Sequence, residues 1–496
     1  MFLLAINWAI VGIKTAQLIL SLSILVLLHE FGHFIAAKTF KCRVDKFYLF
    51  FDAWISIIAF KKINNKWRVK FFRRNQPETE TVMDDGEKKT KLINIDSLPA
   101  NDWRKYPNNT QYGIGWIPFG GYCKVAGMVD ESMDVEQMKL PPQPYEYRSK
   151  AVWQRLIIML GGIIMNVILG FFIYIMMFWH WGDTYIPAQK LPYGIYADSL
   201  ARSIGLQNGD IITAIDGKPT VKFDEIPLDI IINNPATIQV LRGGNTVNIN
   251  IPKDLSSIVI NKRIHFLGYD DILTPMPPID SVMDTSAAQK AGLLKNDLVL
   301  SVNNQPIKFW NEFTHVVKSN IGKTIAIQVL RNNKDTVVLS VTIPNSGIIG
   351  IAGDTRKIIP TDTIRYSFLQ AIPAGIGRGC SMLVSYVRQL KLLFGGKVNL
   401  SEGMSGPVGI ANLFPAMWNW QAFWALTALL SMVLAVMNLL PIPALDGGHV
   451  IFCLYEMITG KKPSDKFMEY AQTVGMIILF ALMIFAFGND IFRLFK

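Results

Sequence analysis

Two histidines and a glutamate with the spacing of a zinc site follow an apolar run near the start of the chain. His29 and His33 are four residues apart, so on a helix they lie on one face and can bind one metal ion together. Glu30 lies beside them, where it can act as a general base on a water molecule. The apolar residues 18–28 place this motif in a membrane-spanning segment, where charged and histidine side chains indicate a functional site.

A catalytic zinc has three protein ligands and one open position, so a third ligand must come from elsewhere in the chain. The best candidate is Asp446, which follows a second apolar segment that Pro441 and Pro443 interrupt. Broken helices are tolerated at membrane depth where they line a polar cavity. On the residues alone, His449 is a competing ligand, and an interfacial loop is the simple structural explanation for Asp446.

The composition excludes an ordinary soluble protein. The chain has 496 residues, of which 50% are hydrophobic, and its mean hydropathy is +0.27. The formal net charge of +11 does not indicate nucleic-acid binding, because the basic residues crowd positions 38–155, as expected for a cytoplasmic loop. The four cysteines have no CxxC spacing, which argues against a disulfide framework and a cysteine zinc site.

The hydropathy pattern predicts a polytopic α-helical membrane protein with four transmembrane helices. These lie within residues 1–40, 151–181, 416–450 and 468–490. The early apolar piece Phe2–Ile13 is an interfacial turn or an extension of the first helix. The basic loop 41–150 contains two strand-like pieces, 44–60 and 112–125, that predict a membrane-associated β element. Between them, the polar insert at about 61–109 is expected to be mobile in its later part.

The region between the second and third spans repeats itself. Residues 203–210 (SIGLQNGD) match 290–297 (KAGLLKND), and 215–219 (IDGKP) match 302–306 (VNNQP), both at an offset of 87. A repeat of this length indicates two copies of one domain. Both copies, 185–255 and 270–345, resemble PDZ domains, which capture extended peptides or chain ends by strand addition. The sequence supports equally well an alternative in which the two domains only block or orient access and bind no peptide. Residues 360–415 are expected to form a linker and a membrane-surface helix.

Taken together, these features resemble the site-2 proteases, which are intramembrane zinc metalloproteases, and within them the bacterial regulator-of-sigma-E group. The resemblance is carried by the HEFGH motif, by the NLLPIPALDG segment at 438–447, by the PDZ-like pair, and by GWIPFGGY at 115–122 and SGPVG at 405–409. It implies one zinc ion per chain, bound by His29, His33 and Asp446, with Glu30 as the catalytic residue. The main departure is the polar insert, which is longer than expected for the group.

The resemblance also assigns the substrate-binding residues. Asn438, with Pro441 and Pro443, is expected to hold the substrate backbone or the developing oxyanion. A helical substrate hides its peptide bonds and must be unwound before attack. The β element, including Gly120 and Gly121, is expected to clamp the unwound segment by strand addition. A lid or packing element without substrate contact is the alternative.

The expected activity is hydrolysis of peptide bonds within or near the transmembrane segments of single-pass proteins. By resemblance, the substrates are anti-sigma factors that an upstream site-1 protease has already cleaved, and remnant signal peptides. The basic loop places the active site toward the cytoplasm and the PDZ-like domains in the periplasm of a bacterium, with the protein in the inner membrane. The PDZ-like pair would then exclude intact ectodomains by size.

Two alternatives belong to other functional classes. A transporter or metal carrier would suit intramembrane histidine and aspartate residues, but it predicts repeated membrane halves, whereas here the repeat lies in the soluble part. A membrane scaffold would use the PDZ-like domains for binding without proteolysis. The presence of Glu30 beside the histidines argues against the scaffold.

Overall fold

The computed structural model describes most of the chain and divides it into two compact units. The described residues are 8–75, 79–84, 87–93, 98–128, 141–262, 266–332, 334–355, 358–395 and 405–495. The first unit, here called the membrane unit, comprises Met1–Trp181, Tyr366–Leu390 and Met404–Lys496. The second, here called the soluble unit, comprises Gly182–Arg365 and Lys391–Gly403.

Four helices of the described chain are long and apolar enough to cross a membrane, as the sequence predicts. They are Trp8–Thr39, Val152–His180, Trp420–Asn438 and Asp465–Phe495, called here the first to fourth spanning helices. The first is continuous through Lys14, so the described part of the early apolar piece is an extension of this helix. Two further helices belong to this unit, Phe368–Phe394 as far as Leu390 and Pro407–Leu413 entirely.

Within the predicted segment 416–450, the third spanning helix ends at Asn438. Pro441 and Pro443 lack backbone N–H groups, so the helix cannot continue through them. A separate helix, Asp446–Thr459, then begins at the aspartate itself. The glycine after that aspartate lets the chain fold back tightly, since a Cβ on Gly447 would lie 2.3 Å from the carbonyl oxygen of Leu440.

The first and second spanning helices cross where both carry glycine. A Cβ added at Gly32 would lie 2.1 Å from the carbonyl oxygen of Gly161, so no larger residue fits at this crossing. Small residues allow helix backbones to approach closely in a membrane. The crossing lies within the HEFGH motif, and it brings the second helix against the two histidines.

The predicted β element is a sheet of β1 (Val44–Ile63), β2 (Lys66–Arg74) and β5 (Gln111–Val125). The first half of β1 lies between the two halves of β5, because Lys46 pairs with both Gln111 and Lys124. The second half of β1 pairs with the start of β5 on one side and with β2 on the other. Residues 121–125 of β5 therefore form one edge of the sheet, and β2 forms the opposite edge.

The polar insert contains regular structure where it is described. Strands β3 (Thr79–Asp84) and β4 (Glu87–Leu92) form an antiparallel hairpin. Further along, Trp103 is buried against the sheet with Tyr48 and Ala59. The insert therefore contributes to the core of the β element through an aromatic side chain, which the polar composition of the segment did not predict.

The soluble unit contains two sheets with the same strand order. Their strands are β7 (Ile211–Ile215), β8 (Lys218–Pro219), β9 (Thr237–Arg242), β10 (Asn245–Asn250), β12 (Leu298–Val302), β13 (Gln305–Pro306), β14 (Thr324–Arg331) and β15 (Asp335–Thr342). The first sheet has the order β10-β9-β7-β8, and the second has the equivalent order β15-β14-β12-β13. Short helices accompany them at Ser199–Ser203, Ile226–Asn233, Leu255–Lys262, Ala287–Lys290 and Trp310–Ser319.

The repeated aspartate and arginine of each copy form the same ion pair. Arg242 donates to Asp210 and Arg331 donates to Asp297, each at 2.7 Å. In each copy, a residue or strand near the start also pairs with a segment beyond the predicted end of that copy. Ile195 bridges to Ile272 in the first domain, and β11 (Ile279–Val282) pairs with β16 (Ile351–Gly353) in the second. Strands β6 (Asp183–Tyr185) and β17 (Asp362–Ile364) pair at the ends of the unit.

Candidate metal centre

The structure brings His29, His33 and Asp446 together at the start of the Asp446–Thr459 helix. Nε2 of His29 lies 3.3 Å from Nε2 of His33. Oδ2 of Asp446 lies 3.2 Å from the first nitrogen and 3.4 Å from the second. The three atoms therefore form a nearly equilateral triangle. No other group of three His, Cys, Asp or Glu side chains with this convergence occurs in the described residues.

The triangle fits a tetrahedral zinc ion. Ligand atoms at about 2.0–2.1 Å from a tetrahedral zinc lie about 3.3 Å from one another, which agrees with all three separations. Oδ2 of Asp446 is buried and accepts no hydrogen bond within the described chain, despite its two close nitrogen neighbours. A buried carboxylate oxygen without a donor is costly. A metal ion bound by the three side chains would remove that cost.

The ring of His33 is oriented by the second spanning helix. Its Nδ1 lies 2.8 Å from the carbonyl oxygen of Ile158, which can only accept a hydrogen bond. Nδ1 therefore carries the proton, and the lone pair of Nε2 points toward Asp446. This is the tautomer that a metal ligand needs.

The ring of His29 is held by a residue that the sequence analysis did not single out. The side-chain amide of Asn166 lies 3.1 Å from Nδ1 of His29, and its Oδ1 is buried without a hydrogen-bond partner in the described chain. Rotating the amide by half a turn places Oδ1 against Nδ1–H, which satisfies both atoms and leaves Nε2 free for a metal. The signal was available, because an asparagine inside an apolar span is costly and indicates function.

Replacing Asn166 with alanine is therefore expected to weaken zinc binding about 10- to 100-fold, as for other residues that orient metal ligands. Asn166→Asp keeps an acceptor for Nδ1–H and should restore most of the affinity. Competition with a zinc chelator measures both variants. Equal affinity of Asn166→Ala and the wild type would show that this amide does not orient His29.

Gly162 leaves the space that both imidazole rings occupy. A Cβ at this position would lie 2.5 Å from Cε1 of His29 and 2.5 Å from Nε2 of His33. Any side chain here would push the rings out of the triangle, and the rings are confined by the helix crossing. The second spanning helix thus contributes a glycine as well as an asparagine to the centre.

Gly162→Ala is expected to lower zinc affinity at least about tenfold, because the ligands lose their common position. Gly12→Ala in the first spanning helix is the matched control, since its Cβ would meet nothing within 4 Å. Zinc content after dialysis against a chelator distinguishes the two. A Gly162→Ala protein that retains zinc as firmly as Gly12→Ala would contradict this account of the site.

The other residues that the sequence predicts for the site differ in how closely they approach the three candidate ligands. Nδ2 of Asn438, at the end of the third spanning helix, lies 3.3 Å from Nε2 of His29. Glu30 is half-buried and lines the same cavity as the three candidate ligands. Pro441 and Pro443 form the break that positions Asp446, and neither contributes to the cavity wall.

The cavity has a volume of about 520 Å³ and extends from the metal triangle to the β element. Gly121 lines it, whereas Gly120 does not. Gly120 has a φ of +113°, and a Cβ there would meet the ring of Phe51. Glycine at this position therefore allows the backbone conformation of the strand and leaves space for that ring. His449 also lines the cavity but does not join the convergent ligand group.

The chain matches the model for peptidase family M50 over residues 17–74 and 100–482. This covers all three candidate ligands and most of the chain. The unmatched residues between the two segments lie in the polar insert, which is the part that departs from the resemblance. They include the hairpin of β3 and β4.

Curated relatives match nearly the whole chain. The regulator of sigma-E protease of Escherichia coli is 28% identical over 97% of this chain and 98% of its own. A protein of Vibrio cholerae named as a candidate zinc metalloprotease is 26% identical over 96% of this chain and 98% of its own. A Yersinia pestis protease is 27% identical over 99% of this chain and 100% of its own. The chain therefore belongs to peptidase family M50, the zinc metalloproteases of the site-2 type.

Proposed function

We propose that this protein is an intramembrane endopeptidase that cleaves single-pass proteins within or near their transmembrane segments. The observation that carries the proposal is the triangle of His29, His33 and Asp446, whose two histidines lie on the first spanning helix, with Glu30 in the same cavity. A metal carrier needs ligands but no general base. A scaffold needs neither.

In this proposal, His29, His33 and Asp446 hold one zinc ion per chain. When bound, the ion supplies Lewis acidity, which activates a water molecule and polarises the scissile carbonyl. Glu30 accepts the proton from the attacking water and later donates it to the leaving amine. Asn438, whose amide is within 3.3 Å of a candidate ligand, donates a hydrogen bond to charge that develops on the substrate carbonyl oxygen.

The substrate segment is unwound before cleavage and pairs with the edge of the β element. Two observations support this step. Within the described part of the chain, residues 121–125 of β5 have a strand on one side only, and they line the cavity that contains Glu30. An edge strand offers unpaired N–H and C=O groups to an extended chain. Hydrogen bonds to this edge would replace the backbone hydrogen bonds that the substrate helix loses when it unwinds.

The protein is proposed to lie in the bacterial inner membrane, with the active site toward the cytoplasm and the soluble unit in the periplasm. Its two repeated domains act as PDZ-like filters that reject intact ectodomains. The substrates are then anti-sigma factors already shortened by a site-1 protease, and remnant signal peptides. The sequence resemblance and the named sigma-E relatives support this substrate class.

The test compares two forms of one single-span substrate, with its ectodomain intact and with the ectodomain removed. The purified full chain in lipid vesicles is expected to cleave only the shortened form, at a bond within or beside the apolar segment. Mass spectrometry locates the bond, and metal analysis should give about one zinc per chain. Absence of zinc would overturn the protease, whereas equal cleavage of both forms would overturn only the filter.

A further inference from the structure

One wall of the catalytic cavity carries a polar cluster that the proposed chemistry does not use. Lys46 and Asp52 lie on this wall with Asn75 and Tyr122. Asp52 is buried, and its Oδ1 accepts from the hydroxyl of Tyr122 at 2.6 Å. Its Oδ2 accepts from Ser56 at 3.1 Å and lies 3.4 Å from Nζ of Lys46. The carboxylate is therefore satisfied mainly by hydroxyl groups.

The ammonium of Lys46 has donor capacity left for a ligand. It has three N–H donors, and the described chain places two acceptors in range, Asp52 at 3.4 Å and Oδ1 of Asn75 at 3.0 Å. The rings of Tyr48 and Tyr122 flank it at 5.6 Å and 5.9 Å. Burial lowers the pKa of Lys46, although the charge of Asp52 acts in the opposite direction. An added acceptor from a substrate would stabilise the charged form.

The register of the sheet decides which substrate side chains reach this cluster. Lys46 pairs with Lys124, and Tyr48 pairs with Tyr122, so these four side chains share one face of the sheet. Cys123 and Val125 point to the other face, where they pack with Ala37 of the first spanning helix. A chain paired with the β5 edge would alternate in the same way. Every second substrate residue would therefore lie on the lysine face.

We propose that Lys46 selects substrates that carry a carboxylate side chain near the scissile bond, placed on the lysine face by pairing with residues 121–125. The inference rests on the proposed function and adds a specificity determinant to it. Lys46 touches the substrate side chain and not the reacting carbonyl. A lysine or arginine at the same substrate position would be rejected, because it would meet Lys46 and Lys124 without a free carboxylate.

The experiment uses the full chain in vesicles and a panel of shortened single-span substrates. Each of the four residues on either side of the cleaved bond is changed in turn to Asp, Leu or Lys, and kcat/KM is measured. The wild type is expected to prefer Asp over Leu about tenfold, the effect of one hydrogen bond to a charged group, at positions two residues apart. Lys46→Met should reduce this ratio to near one, and Lys46→Glu should make Lys the preferred residue.

Lys62→Met is the matched control, because Lys62 is an exposed lysine of the same strand and does not line the cavity. It should keep the wild-type ratio. Cleavage by the wild type without any preference for Asp, or an unchanged ratio in Lys46→Met, would overturn the selectivity alone. Failure of the wild type to cleave any member of the panel would contradict the protease proposal and this inference with it.

Discussion

Glu30→Gln is expected to bind zinc as well as the wild type and to cleave a single-span substrate at least about 100-fold more slowly. Glutamine has the size of glutamate and leaves His29, His33 and Asp446 in place, but its amide cannot accept the proton of the attacking water. The measurement is the initial rate of cleavage of the shortened substrate, with the zinc content of the same preparation determined alongside.

Glu469→Gln is the control for the general effect of removing a carboxylate, since this residue is exposed on the fourth spanning helix and does not line the catalytic cavity. It should cleave at the wild-type rate. Cleavage by Glu30→Gln at that same rate would exclude Glu30 as the general base and would favour the scaffold or the metal carrier.

Asp446→Ala is expected to lose both zinc and activity, whereas His449→Ala should retain zinc. The two residues are the alternatives that the sequence left open for the third ligand. Oδ2 of Asp446 lies 3.2 Å and 3.4 Å from the two histidine nitrogens, and it has no hydrogen-bond donor in the described chain. Removal of one of three ligands leaves too few for tight binding at neutral pH.

Zinc content by mass spectrometry and competition with a chelator measure this pair of variants. The prediction concerns which of the two variants retains more zinc. Unchanged elution of detergent-solubilised Asp446→Ala from a size-exclusion column would exclude a general loss of folding in that variant. The opposite ranking, with zinc retained in Asp446→Ala and lost in His449→Ala, would assign the third ligand to the histidine.

The parts of the fold that depend on local pattern were predictable. Apolar runs of sufficient length located the four spanning helices, and the repeated motifs located the two sheets of the soluble unit that share one strand order. The break after Asn438 was also expected from Pro441 and Pro443, although its consequence was not. The predicted segment 416–450 includes this break, and in the structure a new helix starts inside it, at Asp446.

The parts that depend on long-range pairing were not predictable. Nothing in the local sequence of β1 shows that its first half lies between the two halves of β5, because strand register over such distances is set by packing. Gly162 was missed for a similar reason, whereas Asn166 carried a signal of function in the sequence but no indication of its partner. Each is a small or polar residue in an apolar helix, and only the crossing with the first spanning helix shows that both contact the histidine rings.

The order of synthesis gives the ligand triangle a further consequence. His29 and Asp446 are separated by roughly 400 residues, so the ribosome, at ~5–20 residues per second, makes the third ligand about 20–80 seconds after the first two. During that interval the nascent chain carries only two of its three proposed zinc ligands. On the proposed mechanism, the peptidase is inert until nine-tenths of its own chain exists, and a chain terminated before Asp446 stays inactive.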